Sequence, residues 1–160
     1  KNAINDPRLR PKYAVLDPEL TTGLPPHITS TTGMDALTHA IESLLSKKSN
    51  IFTKTLAREA IKLAVENLPI CYDEPENLDA REKMAYAEYM AGLSYSNSGL
   101  GIAHAIAHAN YRNRRPKRLR VGHLALKYSL DHVLDKTHLL CLYHLFRMLF
   151  YLSQDIGNTH

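Results

Sequence analysis

Along the first two thirds of the chain, apolar residues recur at helical spacing. Ala36, Leu37, Ala40, Ile41, Leu44 and Leu45 fall three and four apart, which predicts a first helix beginning near Met34. The hydroxyl-rich run at 30–33, ending in Gly33, supplies side chains suited to its N-cap. Leu56, Ala60, Leu63 and Ala64 predict a second helix from about Phe52 to Asn67, with Pro69 as terminator. Asp79-Ala80-Arg81-Glu82 has the form of a capping box, so a third helix is expected from there to about Tyr95. The stretch SNSGLG at 96–101 breaks the pattern, and a fourth helical piece carries Ile102 to His108. One short run, Tyr13 to Leu16, reads as a strand stopped by Asp17-Pro18. The expected fold is mainly α: a helical bundle with a short N-terminal strand whose sheet lies elsewhere.

Composition changes the picture near Ala109. Residues 1–108 hold 11 Lys and Arg against 13 Asp and Glu, whereas residues 109–160 hold 9 against 3. All eight glutamates lie in the first part, and alanine falls from 14 residues there to 2 in the second. The tail is basic and leucine-rich, with one or two helices expected over Leu124 to Gln154, and reads as a divergent segment or the product of a shifted reading frame. Its run RNRRPKRLR, Arg112 to Arg120, invites electrostatic nucleic-acid binding, with Tyr111 and Tyr128 as stacking partners. A lone charge run outside any nucleic-acid module is more often a solvated linker, so nucleic acid is not the expected partner. No run of about 18 apolar residues suggests a membrane span. Two cysteines, Cys71 and Cys141, make neither a disulfide framework nor a thiolate metal cage, and a reducing cytoplasm fits them.

Two polar pairs interrupt the apolar helices at one-turn spacing. Asp35 and His39 share a face of the first helix, and His104 and His108 share a face of the fourth piece. A carboxylate and imidazoles converging from different helices can hold Fe²⁺, Zn²⁺ or Mn²⁺ without thiolate. The plainer reading is structural: an Asp near a helix start meeting the dipole, and histidines satisfied by neighbouring polar groups.

The segments TTGMDALTHAIE (Thr31 to Glu42) and AGLSYSNSGLGIAHAIAH (Ala91 to His108) resemble the two signatures of the iron-containing, group III alcohol dehydrogenases. The likeness spans roughly residues 12–108. It implies the dehydroquinate-synthase-like helical domain of that family over 27–108, preceded by a cofactor-domain edge and linker over 1–26 and followed by the tail at 109–160. It further implies Asp35, His39 and His104 as metal ligands and His108 as the catalytic contact. The implied activity is NAD(P)-dependent, metal-assisted hydride transfer between a small alcohol and its aldehyde or ketone, with Fe²⁺, or Zn²⁺, as the ion. Homo-oligomerisation also follows from the family.

Two departures qualify that expectation. No glycine-rich pyrophosphate turn follows a strand in this sequence, since SGLG at 98–101 sits between helices. The position fourteen residues beyond His104, where the family carries its fourth ligand, is Arg118, a cation that repels a metal. His108 or water would then complete the shell, His123 standing at a different spacing. Little or no turnover is expected of the chain by itself. A non-catalytic helical interaction domain is the alternative.

Overall fold

The computed structural model describes residues 6–9 and 11–105. Three long helices form the body: α1 (Pro26–Leu45), α2 (Ile51–Asp73) and α3 (Leu78–Ser98), each packed against the other two. Single 3₁₀ turns at Pro7–Leu9 and Pro18–Thr21 precede them, and the second lies against α3. The expected helical class holds. The expected strand does not form among the described residues: 11–17 are irregular, with Tyr13 and Val15 almost fully exposed. A lone strand has no neighbour to satisfy its backbone.

Helix bodies fall where the apolar spacing put them, but their ends differ. α1 starts at Pro26, eight residues before Met34, because proline at the first helical position is preorganised for the helix. The Thr31 and Thr32 hydroxyls, expected to cap, instead donate to the carbonyls of His27 and Ile28, each at 2.8 Å, inside the helix. α2 passes through Pro69 to Asp73, since Leu68 and Cys71 on either side are buried and hold the last turn in place. Its start is a true capping box: the Thr53 amide donates to Asn50 Oδ1 and the Asn50 amide to Thr53 Oγ1. α3 is capped by Asn77, which accepts from the Ala80 amide at 3.1 Å, while Asp79 pairs with Lys83 one turn on.

The core is built from small residues. Leu37 and Ile41 of α1 meet Ala64 of α2 and Ala87 of α3, and Ala40, Ala60 and Ala91 make a second cluster. Such residues let the axes approach closely, and the space between them is filled by buried hydroxyls. Ser94 Oγ lies 2.9 Å from both Ser43 Oγ and the Thr53 carbonyl oxygen, and the Ser98 hydroxyl donates to the Ser94 carbonyl. Gly33 belongs to the same scheme: a Cβ there would stand 2.3 Å from Leu68 Cδ1. None of the described helices is long and apolar enough to cross a membrane.

Candidate metal centre

α1 carries Asp35, His39 and Glu42 at intervals of four and three, so all three lie along one face. α3 brings Glu88 and Tyr95, two turns apart, toward that face, and then ends at Ser98. Gly99 follows with φ +82°, a left-handed conformation that glycine adopts without penalty. This reversal returns the chain over α1, where residues 102–105 are again helical and carry His104.

Asp35, His39 and His104 each place a ligand atom within 4.8 Å of the other two. The two imidazoles stack, with centroids 4.5 Å apart and planes 16° from parallel, and Tyr95 covers His39 with its centroid at 4.8 Å. His104 Nε2 is 3.5 Å from Asp35 Oδ1, buried, and without a hydrogen-bond partner. Behind the rings, each Nδ1 faces a carboxylate: His104 meets Glu42 at 2.6 Å, and His39 meets Glu88 at 3.3 Å. His108, read as the catalytic contact, lies outside the described residues, as do Arg118, His123, Cys141, the basic run and the span of the expected tail helices.

A divalent ion fits this donor set. Ligands about 2.0–2.2 Å from one tetrahedral ion stand roughly 3.4 Å apart, so atoms within 4.8 Å of one another need close by about 1.4 Å at most. A buried ring nitrogen without a hydrogen bond is unfavourable, and this one stands 3.5 Å from the Asp35 carboxylate. The field around it is negative. Burial works against protonation of His104, yet the Asp35 contact, the Glu42 hydrogen bond and both carboxylate charges outweigh it and hold the ring near 9. Burial raises the Tyr95 hydroxyl, with Glu88 and Asp35 adding to it. Burial also opposes ionisation of Glu42, but His104 and the Gly101 and Ala103 amides bring it below its ordinary range.

Sequence spacing singled out the pairs Asp35/His39 and His104/His108, the family resemblance implied Asp35, His39 and His104 as ligands, and neither found Glu42, Glu88 or Tyr95. Glu42 was legible in principle, seven residues from Asp35 on the same face. Glu88 and Tyr95 depend on the α1–α3 packing. A cavity of about 570 Å³ is lined by Arg81, Leu68 and Gly33 among others, and of the described site residues it shares Glu88 alone.

The profile of the Fe-containing alcohol dehydrogenase family, C-terminal, matches residues 29–110. The chain belongs to the iron-containing alcohol dehydrogenase family. It is 44% identical over 108 residues to an NAD-dependent methanol dehydrogenase of Bacillus methanolicus, covering 68% of this chain and 28% of that protein. A 1-propanol dehydrogenase of Salmonella typhimurium is 46% identical over 100 residues, which cover 62% of this chain and 27% of the relative. Among solved structures, a 1,3-propanediol oxidoreductase matches at 48% identity and TM-score 0.57, over 57% of this chain and 24% of its own. A sulfoacetaldehyde reductase of Bifidobacterium kashiwanohense in complex with NAD⁺ matches at 39% and TM-score 0.60, over 66% and 27%. The chain thus spans about a quarter of the length of these relatives.

Proposed function

We propose that residues 27–108 form the metal-binding half of the active site of an NAD(P)-linked alcohol dehydrogenase, with Asp35, His39 and His104 as ligands to Fe²⁺ or Zn²⁺. One observation carries the reading: an acidic oxygen from α1 and ring nitrogens from α1 and the segment after α3 converge, and one of those nitrogens, His104 Nε2, is buried without a hydrogen bond. Bound there, the ion would supply Lewis acidity toward an alcohol or carbonyl oxygen. Asp35 contributes one negative charge and the neutral rings none, so these donors do not quench a double positive charge. Glu42 and Glu88 stand behind His104 and His39 at Nδ1, which leaves the other nitrogen of each ring toward the ion. Tyr95 shields one face of His39 from water.

Names borne by the relatives, methanol, 1-propanol and 1,3-propanediol dehydrogenase, support a small alcohol or its aldehyde as substrate. The nucleotide then binds in the remaining length of those proteins, and His108 stays the proposed contact beside it. Self-association is part of the proposal, supported by apolar side chains such as Tyr86, Tyr89 and Leu93 exposed on α3. A reducing cytoplasm is the proposed location, supported by the free thiol of Cys71.

Titration with Fe²⁺, Co²⁺ or Zn²⁺ tests the centre. Asp35→Ala and His39→Ala are expected to weaken binding by more than the roughly 10–100-fold typical of outer-shell changes. Equal affinity in the parent chain and both variants would overturn it.

A further inference from the structure

We propose that Glu42 is the positioning residue of this centre: its carboxylate selects the Nδ1–H form of His104 and locks that ring to the backbone turn at 101–103. The proposal rests on the metal reading above and adds to it a group that is no ligand.

Three N–H groups converge on the one carboxylate. Glu42 Oε2 accepts from the Gly101 amide at 3.0 Å and from His104 Nδ1 at 2.6 Å, and Oε1 accepts from the Ala103 amide at 2.6 Å. An ionised carboxylate only accepts, so the proton on His104 must sit on Nδ1, and the neutral ring presents a lone pair at Nε2. The two amides belong to the start of the helical segment at 102–105, where unpaired N–H groups favour an anion. One side chain therefore caps a helix and fixes the ring that the helix carries. The fit is close: the Glu42 side chain is 3% exposed, and a Cβ on Gly101 would stand 2.9 Å from Oε1.

Glu88 provides an internal control. It approaches His39 Nδ1 at 3.3 Å, holds no backbone amide among the described residues and is half exposed. The two carboxylates occupy equivalent places behind equivalent rings, and only Glu42 is built into the backbone.

Glutamine sharpens the distinction. Its amide NH₂ must face either the Ala103 N–H, losing that bond, or the Gly101 and His104 N–H groups, in which case the ring moves its proton to Nε2. Either outcome is worse than the carboxylate and better than no side chain.

The test measures Zn²⁺ affinity of the full chain, by competition with a chromophoric chelator, for the parent, Glu42→Gln, Glu42→Ala and Glu88→Gln. Long-range ¹H–¹⁵N spectra report the His104 ring in the zinc-loaded protein, and in the metal-free protein above the pH at which the ring loses its proton. Expected are losses of about 10-fold for Glu42→Gln and up to about 100-fold for Glu42→Ala, with Glu88→Gln losing less than either. The parent spectrum is expected to show Nδ1 protonated and the Glu42→Ala spectrum a mixture of forms. Should Glu42→Ala fail to fold, Glu42→Gln decides. Parent-like zinc affinity and ring protonation in the Glu42 variants would overturn the proposal. A parent chain that binds no zinc would sink the metal reading alone, because the metal-free spectra still judge Glu42.

Discussion

The two ends of the α1–α3 contact each bury one charge, and they bury it differently. At one end Glu42, 4% exposed, has a donor on each carboxylate oxygen: two backbone amides and an imidazole in all. At the other end Arg81, also 4% exposed, donates to two neutral acceptors, the Pro75 carbonyl at 3.0 Å and Thr29 Oγ1 at 3.1 Å. Its Nη2 is buried with no hydrogen-bond partner. A glycine leaves room at each end, Gly101 for the Glu42 carboxylate and Gly33 for Leu68, which lines the same cavity as Arg81. The first end is an arrangement in which removing any member strands the others. The second is a clamp on the turn between α2 and α3 that borders open space. Buried charge thus marks the candidate site only where its partners are fixed and complete.

The largest effect expected from this contrast is that of Glu42→Leu. It leaves two amides and a ring N–H facing an apolar side chain, and breaking a buried pair in this way destabilises by about 3–5 kcal/mol. Urea unfolding of the metal-free chain measures it. A loss under about 1 kcal/mol would show that water replaces the carboxylate and that this end is no tighter than the other.

How far the sequence revealed these ends follows from what spacing encodes. Helical period is a local property, so α1, α2 and α3 were legible from Leu37, Ile41, Leu56, Ala60 and their neighbours. Helix ends were not, because they turn on which polar group wins a competition. Thr31 and Thr32 turned inward to carbonyls, Asn77 capped in place of Asp79, and buried flanks carried α2 past Pro69. At the site, the shared face of Asp35 and His39 was readable, as was their kinship with His104 through the two motifs. Glu42 could be placed on that same face, but not its pairing with His104, which forms only after the reversal at Gly99. Ser43, Ser94 and Ser98 were equally opaque: polar residues on a helix read as solvent-facing until the alanines opposite draw the helices together.

A second expectation concerns pH. The folded state holds His104 near 9, above its ordinary 6.5, so its contribution is complete below the ordinary value and disappears as pH rises through about 9. Glu42 is shifted the other way, so its contribution is present above its ordinary 4.5 and disappears as pH falls through the lowered value. Between about pH 6 and about pH 10 the metal-free chain is expected to lose on the order of 2–3 kcal/mol relative to His104→Gln. Parallel stability profiles for the two proteins would refute the coupling at this end.

The paired glycines sharpen the contrast further. Gly101→Ala drives a methyl group against the carboxyl of Glu42, which three donors hold in place, and a destabilisation of about 2 kcal/mol is expected. Gly33→Ala meets the buried Leu68 side chain at both Cδ atoms and Cγ, but that side chain borders a cavity of about 570 Å³ that gives it room to shift. About 1 kcal/mol is expected there despite the shorter approach, 2.3 Å against 2.9 Å. Thermal unfolding of the two variants side by side gives the order. Reversed ranks would mean that Leu68 is the more rigid neighbour.

Arg81→Met is expected to have the smallest effect. The substitution keeps the long apolar stem and removes a guanidinium that no carboxylate pairs among the contacts it makes. It leaves the Pro75 carbonyl and the Thr29 hydroxyl each short of one donor, an unfavourable term of about 1–3 kcal/mol if both stay dry. Against this stands the removal of a buried charge with an unpaired N–H, a term of similar size and opposite sign. The neighbouring cavity also lets water reach the turn. Burial pushes the Cys71 thiol up while the charge on Arg81 pulls it down, so the variant raises that thiol further, and thiol reactivity provides a second readout. A stability change within about 1 kcal/mol, with slower alkylation of Cys71 in the partly unfolded range, is expected. A loss as large as that of Glu42→Leu would mean that Arg81 has an anionic partner and that the two ends are alike.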